Sequence, residues 1–137
     1  MPKFPSRISF WCEVPASSGG ATPLLLSHQV YKAVSASHPE FVKELEAKGL
    51  KYTRVLPDGD DNTSAIGRGW QSTYGTSDKE EAVAKHRAHG GEAEWLPDGS
   101  LKTVTAVLPA VRPDPKGGKP QWFNSMVAAY TGWKVRH

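Results

Sequence analysis

Eleven prolines and thirteen glycines punctuate a chain of 137 residues, and they set the terms on which it can fold. Proline fixes φ and removes a backbone donor, while glycine ends helices and opens turns. The sequence therefore predicts many turns, short strands and few long helices. Its length suits one domain with one core, although the apolar fraction, 38%, is low for a globular chain. No apolar run approaches the ~20 residues of a membrane span, and "MPKFPSRISFWCEV" lacks the long apolar block of a secretory signal. One cysteine, Cys12, can form no internal disulfide, so a reduced, intracellular, cytoplasmic setting is expected. The net charge is only +3, and the basic residues are scattered rather than drawn into a stripe. Neither nucleic acid nor membrane is expected as a partner. The tryptophans are expected in the core and in pocket walls.

Residues 7–14, "RISFWCEV", read as a strand with both faces partly apolar. "SSGG" turns the chain, and "TPLLLS" is extended because Pro23 disfavours helix at Thr22. Ser27 is expected to cap a short helix over "HQVYKAVSA". Ser37 and Glu40 read as a capping box around Pro39 at the start of "PEFVKELEAKG". There Phe41, Val42 and Leu45 should face inward, Glu44 should pair with Lys48, and Gly49 should end the helix. "LKYTRVL" follows as a strand. Residues 57–77, "PDGDDNTSAIGRGWQSTYGTS", read as a long loop of the kind that forms lids and binding loops. A second capping box, Ser77 with Glu80, should open the helix "DKEEAVAKHRAHGG". "EAEWLPDGSLKTVTAVL" is a hairpin around Asp-Gly. "PAVRPDPKGGKP" can be no central strand, and "QWFNSMVAAYTGW" returns to strand-like composition.

The residues offer no self-contained catalytic constellation. His38-Pro39-Glu40 matches half of a two-histidine, one-carboxylate iron site, but it straddles a helix start where a cap is the better reading. His86 and His89 share a helix face, and a solvated pair in the last turn outweighs a metal site. Cys12 reads as a small buried hydrophobe, and no serine lies in a G-x-S-x-G elbow. "GRGW" is no phosphate loop, because no Gly-Lys-Ser/Thr follows.

Three segments taken together go further. "FWCEVPASSGGATPLLLS", "HPEFVKELEAKGLKYTRVL" and "LPAVRPDPKGGKPQWFN" resemble the taurine-dioxygenase (TauD/TfdA-like) family of iron(II)- and 2-oxoglutarate-dependent oxygenases. The closest likeness, which includes "IGRGW" and "WFNSMVAAYTGW", is to the clavaminate-synthase-like branch. The resemblance implies a mixed α/β, β-rich fold: a partial double-stranded β-helix, or jelly-roll, with helical insertions, forming one partial domain over residues 1–137.

It also implies that Thr22, presented by Gly19-Gly20, holds the 2-oxoglutarate carboxylate. Ala21 stands where the family has an acid. Arg68, Trp70 and Asn124 are the expected substrate-pocket residues, with the loop over residues 57–77 as a lid. The family's iron ligands and its carboxylate-binding arginine have no counterpart in this sequence. The expected reading is therefore a domain fragment of an oxygenase acting on a small molecule, inactive alone and binding no metal. The alternative is a non-catalytic binding or interaction module derived from the same fold.

Overall fold

A computed structural model of the chain describes residues 7–64 and 67–126. Four helices and five short strands follow one another: α1 (Ser27–Ser37), α2 (Pro39–Lys48), β1 (Thr53–Leu56), α3 (Trp70–Tyr74), α4 (Lys79–Arg87), β2 (Glu92–Trp95), β3 (Leu101–Val104), β4 (Val111–Pro113) and β5 (Pro120–Trp122). All pairings among the described residues are antiparallel. One sheet has the order β1-β3-β2, and β4 and β5 form a separate two-stranded ribbon.

The sheet forms where the sequence places its hairpin. Asp98 accepts the Ser100 N–H at 3.0 Å, and Gly99, at φ +83°, closes the turn. β3 then lies centrally, and Leu101 stands opposite both Leu56 and Trp95. Leu56, Trp70, Ala82 and Leu101 make the core, with Tyr74, Val83, Ala93 and Trp95 packed around them. α2 also follows expectation. Pro39 occupies its first turn, Lys48 meets Glu44 at 2.6 Å, Gly49 ends it at φ +68°, and Val42 is buried. Phe41 instead remains 44% exposed.

The described residues form a mixed helix-and-strand fold with two small antiparallel sheets. Several local expectations are corrected. Residues 7–14 form no strand; the whole stretch is exposed and no described strand pairs with it. An extended segment becomes a strand only when a neighbour accepts its ladder. Cys12 is accordingly exposed rather than buried, and Trp11 is 91% exposed. Ser27 lies inside α1, whose cap residue is Leu26 with no side-chain bond. Ser37 bonds back to the Ala33 and Val34 carbonyls, so His38 takes the cap position of α2. Asp78, not Ser77, caps α4, accepting from Glu80 N and Glu81 N at 2.8 and 2.9 Å.

Within the stretch 57–77 lies α3, whose Trp70 packs with Leu56 and Leu101 of the sheet. Only "QWFNSM" of the last strand-like stretch lies within the described residues, and its strand is Pro120–Trp122.

Candidate functional site

The segment between β1 and α3 is organised by three aspartates, Asp58, Asp60 and Asp61. Asp58 accepts from Gln71 Nε2 at 2.6 Å and from the Trp70 indole at 3.2 Å. Asp60 accepts from Gly69 N and from Ser72 Oγ, both at 2.7 Å. Asp61 accepts from Thr63 N and Thr63 Oγ1 at 2.9 and 2.6 Å. These donors hold the Asp60 and Asp61 carboxyls below the usual range, the Ser72 hydroxyl leading at Asp60 and the Thr63 hydroxyl at Asp61.

The two glycines of "GRG" serve close backbone approach. A Cβ on Gly69 would lie 2.6 Å from the Gly59 carbonyl carbon, and one on Gly67 would overlap the Asp61 carbonyl oxygen. Asp60, Asp61, Asn62, Ser64, Gly67 and Arg68 line an open cleft of about 290 Å³ on this loop.

The second polar region surrounds the β4–β5 ribbon. Asn124, at φ +86°, donates Nδ2 to the Pro109 carbonyl at 2.7 Å. Phe123 N donates to Ala110 O at 2.8 Å, and the Arg112 guanidinium lies 4.9 Å from the centre of the Phe123 ring. Ser125 N donates to the Tyr52 hydroxyl at 3.0 Å. Clefts of about 350 Å³ and 320 Å³ flank this ribbon. One is lined by Glu46, Arg112 and the surrounding prolines, the other by His28, Tyr31, Lys32, Ser35, Lys119 and Pro120.

The four expected site residues fall on separate features. Thr22 is exposed on the extended N-terminal arm, and Arg68 is exposed on the rim of the loop cleft. Asn124, just after β5, commits its amide N–H to the Pro109 carbonyl ahead of β4. Trp70 is a core residue, 2% exposed. Among the described residues no hydrogen bond or ring contact joins any two of these side chains.

Sequence reasoning missed one half-buried polar pair. Tyr74 Oη lies 2.9 Å from His86 Nδ1, and His86 Nε2 lies 3.0 Å from the Val104 carbonyl. A carbonyl can only accept, so Nε2–H donates to Val104 O, and the tyrosine hydroxyl meets the other ring nitrogen. His86 is thus a tether between helix and sheet rather than a solvated last-turn residue. The only signal in the sequence was Gly91, where a Cβ would overlap the imidazole.

These donors do not fit an iron centre. Among the described residues no three His, Cys, Asp or Glu side chains converge to hold a metal. Both ring nitrogens of His86 are engaged, and His89 Nδ1 faces the Lys85 carbonyl at 3.0 Å.

Residues 1–135 match the family described as "Taurine catabolism dioxygenase TauD, TfdA family". The chain belongs to the TauD/TfdA family. A clavaminate synthase-like protein of Arabidopsis thaliana is 49% identical over 132 residues, which is 96% of this chain and 40% of the relative. Dapdiamide synthesis protein DdaC of Enterobacter agglomerans is 30% identical over 122 residues, 89% of this chain and 34% of the relative. This TauD/TfdA chain spans about 40% of the first of these relatives and a third of the second. None of its described helices is long and apolar enough to cross a membrane.

Proposed function

We propose that this chain is a portion of an Fe(II)- and 2-oxoglutarate-dependent oxygenase that acts on a small molecule. The carrying observation is the likeness of 49% over nearly the whole chain to a clavaminate synthase-like protein of which it covers 40%. In this reading the Gly19-Gly20 turn, with φ +69° and +76°, presents Thr22 to a co-substrate carboxylate. A hydroxyl there adds one donor to an anion, worth about 1.5–3 kcal/mol when charge-assisted. Exposed Arg68 is the substrate-side residue, and the jelly-roll is the fold of the assembled domain.

The test grafts this chain into the Arabidopsis relative in place of the matched 132 residues. Anaerobic titration should give one Fe(II) per chimera, with charge-transfer absorption appearing only when 2-oxoglutarate is added. Thr22→Val should weaken 2-oxoglutarate binding about tenfold or more, while Thr22→Ser retains it. A folded chimera that binds neither would overturn the proposal.

A further inference from the structure

α1 packs against β5, and a cleft of about 320 Å³ is lined from both sides. His28, Tyr31, Lys32 and Ser35 come from α1, and Lys119 and Pro120 come from the start of β5 and the residue before it. The α1 residues follow the spacing i, i+3, i+4, i+7. That is the stripe with which a helix usually buries apolar side chains against its neighbour. Here all four carry a polar group, and no residue of α1 is buried.

The lining holds two lysines and a histidine but no carboxylate. The ion pairs among the described residues use Lys48, Lys51, Lys85 and Lys102, and neither Lys32 nor Lys119. Two nearby acids are already engaged. Glu46 accepts from the Tyr31 hydroxyl at 3.0 Å, and Asp114 accepts from Lys116 N at 3.1 Å. The backbone that presents Lys119 is fixed. Its carbonyl accepts from Asp114 N at 2.8 Å, and Gly118, at φ +65°, donates its N–H to Asp114 O at 2.9 Å. Ser35 Oγ is enclosed and has no hydrogen-bond partner among the described residues. A buried hydroxyl without a partner is unfavourable, and it can turn toward a ligand without giving up a bond.

We propose that the cleft between α1 and β5 binds a small organic anion, a carboxylate or phosphate monoester on a flat apolar body. Lys32 and Lys119 repel one another across the cleft until an anion lies between them. The rings of Tyr31 and Pro120 supply apolar wall for the body of the ligand. The volume is at the low end of small-molecule sites, about 300–1,000 Å³, which suits a single-ring ligand. Neither Thr22 nor Arg68 lines this cleft, so the proposal does not depend on the oxygenase reading.

The experiment titrates the isotope-labelled chain with phenyl phosphate, with benzoate and with neutral benzamide, and follows amide resonances. At least one anion should shift residues 28–35 and 118–121 saturably, with a dissociation constant of about 1 mM or below. The tighter of the two anions identifies the head group. Lys32→Gln and Lys119→Gln should each weaken binding about fivefold, whereas Lys32→Arg and Lys119→Arg retain it. Both lysines are exposed, so these changes remove no buried packing. Added salt should weaken binding. Absence of a saturable shift with either anion would overturn the proposal. So would benzamide binding as tightly as the anions, or both glutamine variants binding like the parent chain. Thr22→Val should leave this binding unchanged; its loss would place the probe at the co-substrate position and overturn the separate site.

Discussion

Trp70 and Trp95 meet edge to face across the core, with ring centroids 5.1 Å apart and planes at 81°. The contact joins α3 to β2, and it explains why an apparently loop-like segment is folded. Trp70 is 2% exposed and anchors its indole N–H on Asp58, while Lys79 Nζ covers the Trp95 ring at 4.9 Å. Replacing Trp70 by alanine empties the centre of a small core and should cost about 3–5 kcal/mol. Trp70→Phe should cost less, because it keeps a ring in the site. Urea unfolding followed by far-ultraviolet circular dichroism measures both, and an unshifted midpoint in Trp70→Ala would contradict a core role.

Gly69→Ala tests the backbone approach beneath the loop. Its Cβ would face the Gly59 carbonyl carbon and oxygen at 2.6 Å. Backbone cannot yield as a flexible side chain can, so the expected loss is about 1–3 kcal/mol. Ser72→Ala, which removes only the hydroxyl on Asp60, should lose less. Reversing that order would mean the loop is held by its hydrogen bonds more than by its close packing.

His86→Ala leaves the half-buried Tyr74 hydroxyl and the Val104 carbonyl without their imidazole partner. The expected cost is about 1–3 kcal/mol. Tyr74→Phe removes one bond and should cost less. The signature that separates this tether from general loosening is faster exchange confined to α4 and β3. Uniformly faster exchange throughout the sheet would argue against a local tether.

The pH dependence follows from the carboxylates and tyrosines. Hydrogen bonding holds Asp60, Asp61, Glu81 and Asp98 below their ordinary values, led respectively by Ser72, Thr63, Lys85 and the Ser100 N–H. Around those values the folded state binds fewer protons than the unfolded one. Their contribution is therefore complete above the ordinary carboxylate range and is lost as pH falls through the folded values, below about 4. Burial raises Tyr52 and Tyr74, so their contribution is complete below about pH 10 and is lost above it. Thermal midpoints measured across pH should be flat in between and should fall at both edges. A midpoint that rises on acidification to pH 3 would reverse the sign of the carboxylate effect.

Elements whose causes lie within a few residues were legible in the sequence. The Asp98-Gly99 turn fixed its own hairpin, and Pro39, Glu44, Lys48 and Gly49 fixed the start, face and end of α2. Cap positions were missed by one residue. Ser27, Ser37 and Ser77 all had the right chemistry, but Leu26, His38 and Asp78 took the positions. Hydroxyls compete for several backbone partners at once, and only the packed geometry decides among them.

By itself the sequence determined the order of the segments, the turns and the family resemblance, because these depend on local chemistry and on residue patterns read along the chain. Tertiary structure alone decided that Trp70 is core, that Asp58 and Asp60 draw α3 against its own loop, and that His86 bridges α4 to β3. It also decided that residues 7–14, though strand-like in pattern, pair with no described strand. A side chain's propensity is local, but a buried contact or a β-ladder exists only when a distant segment supplies the other half.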